Sequence, residues 1–399
     1  MKKPTRRELL KMGAWAAAGC CASDLLTSCG SGGNSTTSTT PTASTTPAAV
    51  DIPCSPGDGA QVAVAEGTNL DSMTRSALNS LGGISEVVKR GDTVFIKPNM
   101  VTLPWASPDY NPFHLGECTK PEIVIAVADE CLKAGASKVI IGDGSQVPRF
   151  DWGGATTLDG STNLAMSAAQ LSSKYSVPVQ LACLDVDSPS WVEIPVGTSL
   201  GKVAISSLVV DADKVISIPV LKTHKWAYLT LSLKNFIGIT PLERYGWTDR
   251  NSGNTRVSLH ANDPNAVSGF GRLFVDIAKA VKPDLAIIDM SIGIEGNGPS
   301  LSSGGLTADM KSRHGSWMVL ASTDPVAADA TAARILKQES PYVDKVLSMA
   351  HAAGMGTICQ ADIKLAGATL DQLQVKWQPA QVEMASFNQP FVWHKPQYV

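Results

Sequence analysis

From Val94 onward the chain repeats one pattern: a short apolar run, a polar or glycine-rich break, then a segment with apolar residues at helical spacing. Residues 94–96 form the core of the first run, which breaks at Lys97-Pro98-Asn99. A helix is expected next, with Pro121 in its first turn and Thr119 as its cap. Ile123, Val124, Val127, Cys131 and Leu132 make its apolar stripe, and Gly135 lies just past its end. Residues 138–141 and 179–184 read as further strands, ending at Gly142-Asp143-Gly144-Ser145 and at Asp185. Residues 214–221 read as another, although Pro219 sits badly in its last turn of pleat. A helix over 272–281 leads to a strand over 285–288 that ends at Asp289, and 317–321 is a strand followed by a helix capped by Asp324-Pro325. Ser340-Pro341 opens one more helix. Apolar strands alternating with helices predict an α/β fold with a largely parallel sheet covered by helices on both faces. Its length suits one large domain or two tightly packed subdomains.

In open α/β sheets ligands bind beyond the carboxyl ends of the strands. Lys97, Asn99, Asp143, Ser145, Asp185, Lys222, His224 and Asp289 all fall at or just past an expected strand end. The most informative stretch is 214–240, KVISIPVLKTHKWAYLTLSLKNFIGIT, which sets Lys222-Thr223-His224-Lys225 against an apolar run and follows with Lys234-Asn235. Leu229, Leu231, Leu233, Phe236 and Ile237 frame both polar clusters, so the clusters should be held on buried scaffolding. Lys222, His224 and Lys234 are therefore the candidate catalytic residues. Lys97, Asn99 and Asn235 are candidate ligand- or cofactor-binding residues, joined by Gly296 and Gly298 of a glycine-rich segment expected to be a loop after Asp289.

Lysines gathered round one cavity repel one another unless an anion sits among them, or unless burial lowers one pKa and makes that amine a general base. The expected partner is a small anionic ligand. Asp289, Glu295 and Asp329 are the best carboxylate ligands on offer for a hard divalent metal, though their spacing matches no self-sufficient metal motif. The glycine-rich segment is neither a P-loop nor a dinucleotide fingerprint. Lys225 reads as a solvated charge, and His260 and His314 lie in polar, loop-like stretches.

The first fifty residues address location. Thr5-Arg6-Arg7-Glu8-Leu9-Leu10-Lys11 has the form of a twin-arginine export signal, and the apolar stretch 12–23 is too short to span a bilayer. Leu26-Thr27-Ser28-Cys29 reads as a lipoprotein processing site with Cys29 acylated, and Ala17-Ala18-Gly19-Cys20 is a second candidate. Residues 30–50 are almost wholly small and polar, a composition that cannot bury enough apolar surface to offset its ordering entropy, so they read as a disordered tether. The expected organisation is thus a signal over 1–29, a tether over 30–50 and a folded domain over 51–399. The expected setting is the periplasm or the outer face of a membrane, reached through the twin-arginine machinery and held by a lipid anchor.

Composition narrows the classes. A formal charge of −3 and 44% hydrophobic residues describe an ordinary globular protein, without the basic excess that nucleic-acid binding needs. Of eight cysteines, Cys20, Cys21 and Cys29 lie in the signal, and Cys54, Cys118, Cys131, Cys183 and Cys359 are scattered without a CxxC pair. That spacing argues against an iron–sulfur cluster or a cysteine-held zinc. Cys131 and Cys183 sit in apolar runs and read as packed thiols.

Ile96-Lys97-Pro98-Asn99, the block VVDADKVISIPVLKTHKWAYLTLSLKNFIG, then IIDMSIGIEGNGPSLSSGG and ASTDPVAADA occur in that order. Together they resemble the family catalogued as domain of unknown function 362, over roughly 94–356. The matching positions are Lys97, Asn99, Lys222, His224, Lys234, Asn235, Asp289, Gly296, Gly298 and Asp324. Many members carry a ferredoxin-like domain with clustered cysteines, which implies redox company; this chain lacks those cysteines, so no iron–sulfur cluster is expected here. Three readings stay open: an exported enzyme acting on a small anion, metal-assisted or not; a tethered protein that binds an anion or metal complex without chemistry; and an assembly factor whose basic cluster organises the fold.

Overall fold

The computed structural model describes residues 59–196, 201–225, 227–246, 256, 259, 266–338 and 342–381. The export signal, the tether, Cys29, His260 and the Ser340-Pro341 helix start lie outside the described residues. In chain order the main elements are β1 (Ala60–Gly67), α1 (Leu70–Ser80), β2 (Thr93–Pro98), α2 (Pro121–Lys133), β3 (Lys138–Asp143), α3 (Leu164–Tyr175) and β4 (Val179–Cys183). There follow β5 (Trp191–Pro195), β6 (Lys202–Ser206), β7 (Lys214–Ile218), β8 (Val220–His224) and β9 (Tyr228–Thr230). The remainder is α4 (Ala266–Val281), β10 (Leu285–Gly296), β11 (Gly305–Asp309), β12 (Trp317–Ser322), α5 (Pro325–Ile335) and β13 (Ile363–Ala366).

The main sheet runs β13-β1-β12-β10-β7-β2-β3-β4, with β8 and β11 also paired to β10, and β9 to β8. β10, β7, β2, β3 and β4 are mutually parallel. β12 alone on that path runs against its neighbours, β10 and β1. The reversal follows from connection length: β10 turns into β11, a short helical turn follows, and only an antiparallel strand can be reached by so short a link. Strand alternation divides the apolar side chains between two cores. Val94 and Ile96 of β2 enter one with Ile123, Val127 and Leu132 of α2; Phe95 enters the other with Phe274 of α4 and Val326 of α5. The sheet is thus covered on both faces, as the sequence predicts.

Three local expectations are corrected. The strand expected over 214–221 is two strands, because Pro219 has no N–H to continue the ladder; β7 pairs β2, and after the proline β8 moves over to β10. Lys222 and His224 accordingly lie within a strand, not beyond one. The loop expected after Asp289 is instead the second half of β10, whose twelve residues are all buried between β8 and β11. Thr119 does not cap α2. Lys120 occupies that position, and the Thr119 hydroxyl donates to the Ile218 carbonyl at 2.6 Å while accepting the Asn99 N–H at 3.0 Å. The ends of β2 and β7 compete for that hydroxyl and win it. Asp324 does cap α5, accepting from the Ala327 N–H at 2.8 Å. Cys118, Cys131 and Cys183 are buried free thiols, and Cys359 is disulfide-bonded to a partner outside the described residues.

Candidate functional site

The carboxyl ends of β2 and β3 open onto a cavity of about 100 Å³. β2 delivers Lys97 and, just past its end, Asn99; β3 is followed by Gly144, Ser145 and Gln146. β8 contributes Lys222 and His224, which face the cavity together because strand side chains alternate. Thr223, between them, points the other way and donates to the Gly296 carbonyl at 2.7 Å. Thr230 of β9, Lys234, Asn235 and Gly238 of the 3₁₀ turn Lys234–Ile239, Arg256 and Pro299 complete the wall.

Two ion pairs fix its floor. Lys97 Nζ lies 2.5 Å from Asp143 Oδ1 and donates to the Pro98 carbonyl at 2.7 Å, while Asp143 Oδ2 accepts the Met100 N–H at 2.6 Å. Arg256 pairs with Asp185 at 2.9 Å and also donates to the carbonyls of Gly144, Ser145 and Thr240. Burial pushes the Lys97 pKa down and the Asp185 pKa up, each resisted by its opposite charge. Gly238 is required where the turn meets the first pair: a Cβ there would fall 2.3 Å from Asp143 Oδ1 and 3.0 Å from Lys97 Nζ. Asn235 Nδ2 donates to the Lys97 carbonyl at 2.7 Å and to Ser217 Oγ at 3.1 Å, so it locks the turn to β2 and β7.

The remaining two lysines are held without a close carboxylate. Lys222 Nζ donates to Asn99 Oδ1 at 3.0 Å and to the Glu117 carbonyl at 2.7 Å, and burial brings its pKa down to about 8. Lys234 keeps part of its side-chain surface exposed, yet its ammonium is densely surrounded by protein atoms. Among the described residues that ammonium has no hydrogen-bonding or carboxylate partner, and it sits 5.8 Å above the Phe274 ring. Desolvation first, then repulsion from Lys222 and Lys97, lowers its pKa to about 7. The Thr230 hydroxyl, buried in the same wall, also lacks a hydrogen-bond partner among the described residues. The arrangement can bind a small anion and exchange a proton with it near neutral pH.

Residues 94–334 match the family described as a domain of unknown function, DUF362. The chain belongs to that family. A thylakoid-associated protein of Synechocystis sp. is 32% identical over 238 residues, covering 59% of this chain and 62% of that protein. The chain therefore spans less than two-thirds of that relative's length. Among solved structures, the lactate racemase apoprotein from Thermoanaerobacterium thermosaccharolyticum is 12% identical with a TM-score of 0.36, over 72% of this chain and 59% of that one. A Thermotoga maritima protein is 12% identical with a TM-score of 0.32, over 58% and 53%. Likenesses that remote carry no argument about function.

In this DUF362 chain the structure brings Lys97, Asn99, Lys222, His224, Lys234 and Asn235 to one cavity. It separates the other candidates. Asp289 is fully buried and accepts from the Lys120 N–H and from Ser291, with the Lys120 ammonium 3.4 Å away. Glu295 is occupied by the Arg313 guanidinium and the Gln378 N–H. Asp329 anchors Ser232 and Leu233. All three carboxylates are already engaged by protein donors, most of them from segments distant in sequence. Among the described residues no group of three His, Cys, Asp or Glu side chains comes together to hold a metal. Gly298 is a packing glycine, since a Cβ there would fall 2.1 Å from the Thr223 carbonyl, whereas Gly296 is favoured by its left-handed φ of 69°. His314 pairs with Glu66 at 2.7 Å, away from the cavity. Sequence reasoning missed Thr230 and Arg256. The first hides in the alternating run YLTLSL, and the second lies in a polar stretch with no periodicity.

Proposed function

We propose that this DUF362 protein binds a small anion in the cavity between Lys97 and Arg256, and that Lys234 exchanges a proton with the bound ligand. The observation that supports this most directly is the Lys234 ammonium, without a partner among the described residues and close enough to Lys222 and Lys97 to feel their charge. Lys97 and Arg256 are neutralised by Asp143 and Asp185, so an entering anion would meet the charge of Lys222 and Lys234. Both amines carry that charge only below their own pKa values, about 8 and about 7. Affinity for sulfate, whose charge is constant over the range, should be greatest below pH 7 and fall as pH rises through 7 to 8. A loss of about 10-fold or more between pH 6 and pH 9 is expected, measured by isothermal titration calorimetry, with proton uptake on binding near pH 7.5. Affinity independent of pH, or no binding of sulfate, acetate or pyruvate at any pH, would remove the proposal. Turnover in a substrate panel would make the site an active site, and tight binding alone a receptor.

The location we propose is extracytoplasmic, through the Arg6-Arg7 signal, with Cys29 as the lipid anchor. Changing Arg6 and Arg7 together to lysine should retain the protein in the cytoplasm, and Cys29→Ser should release exported protein from the membrane fraction. Unchanged fractionation of both variants would discard this location.

A further inference from the structure

We propose that Lys234 is an amine nucleophile that forms a Schiff base with the carbonyl carbon of a small oxo acid whose carboxylate is held by Lys222. The inference rests on the anion-site reading and specifies its ligand. A buried amine attacks a carbonyl when it is neutral, and it becomes neutral near physiological pH where it is desolvated beside another cation. Lys234 meets both conditions, in a dense surrounding and within the field of Lys222 and Lys97. It makes no hydrogen bond among the described residues that would tie up its lone pair or hold it away from a ligand.

Thr230 is the second, independent observation. Thr230 is 2% exposed and lines the same cavity, and its hydroxyl has no hydrogen-bond partner among the described residues. A buried unpaired hydroxyl carries an uncompensated desolvation cost, which a ligand oxygen would cancel. Lys222 supplies the third element. An ammonium has three N–H donors, and two of these go to Asn99 and Glu117, which leaves one for a carboxylate. The size of the cavity fits such a ligand. A cavity of about 150 Å³ takes benzene, so one of about 100 Å³ suits an acid of two to four carbons.

The step balances without an oxidant. The Lys234 nitrogen lone pair forms a bond to the carbonyl carbon, and the carbonyl π pair moves to oxygen. A proton passes from nitrogen to that oxygen, through solvent or the Thr230 hydroxyl of the same wall, giving a carbinolamine. The carbinolamine hydroxyl then takes a second proton from solvent, the nitrogen lone pair forms the C=N bond as the C–O bond breaks, water leaves, and a protonated imine remains. Such an imine withdraws electrons from the adjacent carbon and so eases loss of a proton or carboxylate there.

The test is borohydride trapping with pyruvate or glyoxylate on the purified full chain, read by intact mass and peptide mapping. We expect one reduced adduct on the peptide carrying Lys234, absent in Lys234→Arg, and a lower yield in Lys222→Met. Mapping of the wild-type adduct decides the matter even if a variant fails to fold. Labelling confined to other lysines, or no adduct while pyruvate and sulfate still bind by calorimetry, would overturn the Schiff base and leave the anion site standing. Failure of every anion to bind would overturn both.

Discussion

Replacing Lys234 with methionine is expected to abolish measurable binding of sulfate and pyruvate, a loss of about 100-fold or more for a buried charge that contacts its ligand directly. The fold should survive, because the ammonium has no hydrogen-bonding or carboxylate partner among the described residues to leave behind. Stability should in fact rise at low pH. The group titrates at about 7 in the folded protein, against an ordinary 10.5. The unfolded chain therefore holds the proton more tightly, and the folding penalty is complete below pH 7. It is relieved as pH climbs from 7 towards 10.5, so wild-type stability gains from this group across that window. The methionine variant should lose that contribution to the slope while Lys222 keeps its own smaller one. Urea unfolding at pH 6, 8 and 10, beside calorimetry, checks both halves. Retained affinity, or a sharp fall in melting temperature, would mean that Lys234 is part of the scaffold.

The second large effect is on the scaffold itself. Asp329, fully buried in α5, accepts from the Ser232 N–H at 2.8 Å, the Ser232 hydroxyl at 2.5 Å and the Leu233 N–H at 3.2 Å. Those residues lead directly into Lys234 and Asn235. Asp329→Ala strands several buried donors, at a cost of about 3–5 kcal/mol, and frees the turn that presents the site. A drop in melting temperature of roughly 4–8 °C is expected for a folded domain of this size, together with loss of anion binding. Asp329→Asn keeps the shape and one acceptor and should fall between the two. A shift of less than about 2 °C in the alanine variant would show that the turn is held by its apolar packing.

The Asp329 case illustrates what one dimension hides. Read along the chain, Asp289, Glu295 and Asp329 are unpaired carboxylates in apolar or glycine-rich surroundings, and metal ligation is a natural use for them. The donors that saturate them come from distant segments: Lys120 for Asp289, Arg313 for Glu295, and Ser232 for Asp329. The glycines mislead in the same way. Gly298 reads as loop freedom, whereas its lack of a Cβ serves the close passage of the Thr223 backbone. Pro219 is the legible warning that one apolar run is two strands, and it places Lys222 and His224 in β8, paired to β10 and β9.

The sequence by itself determined the class of fold, a mostly parallel sheet covered on both faces, because strand and helix periodicities are local and strong. It also determined the family and six of the polar residues that line the cavity, since each lies within three positions of an unmistakable apolar run. Tertiary structure decided which charges are free. Whether a lysine is neutralised depends on contacts made across the fold, such as Lys97 with Asp143 and Arg256 with Asp185, and on burial, which no residue's own neighbours in sequence reveal. Lys234 is chemically distinct from the other lysines only because the fold surrounds it with protein and gives it no counter-charge among the described residues.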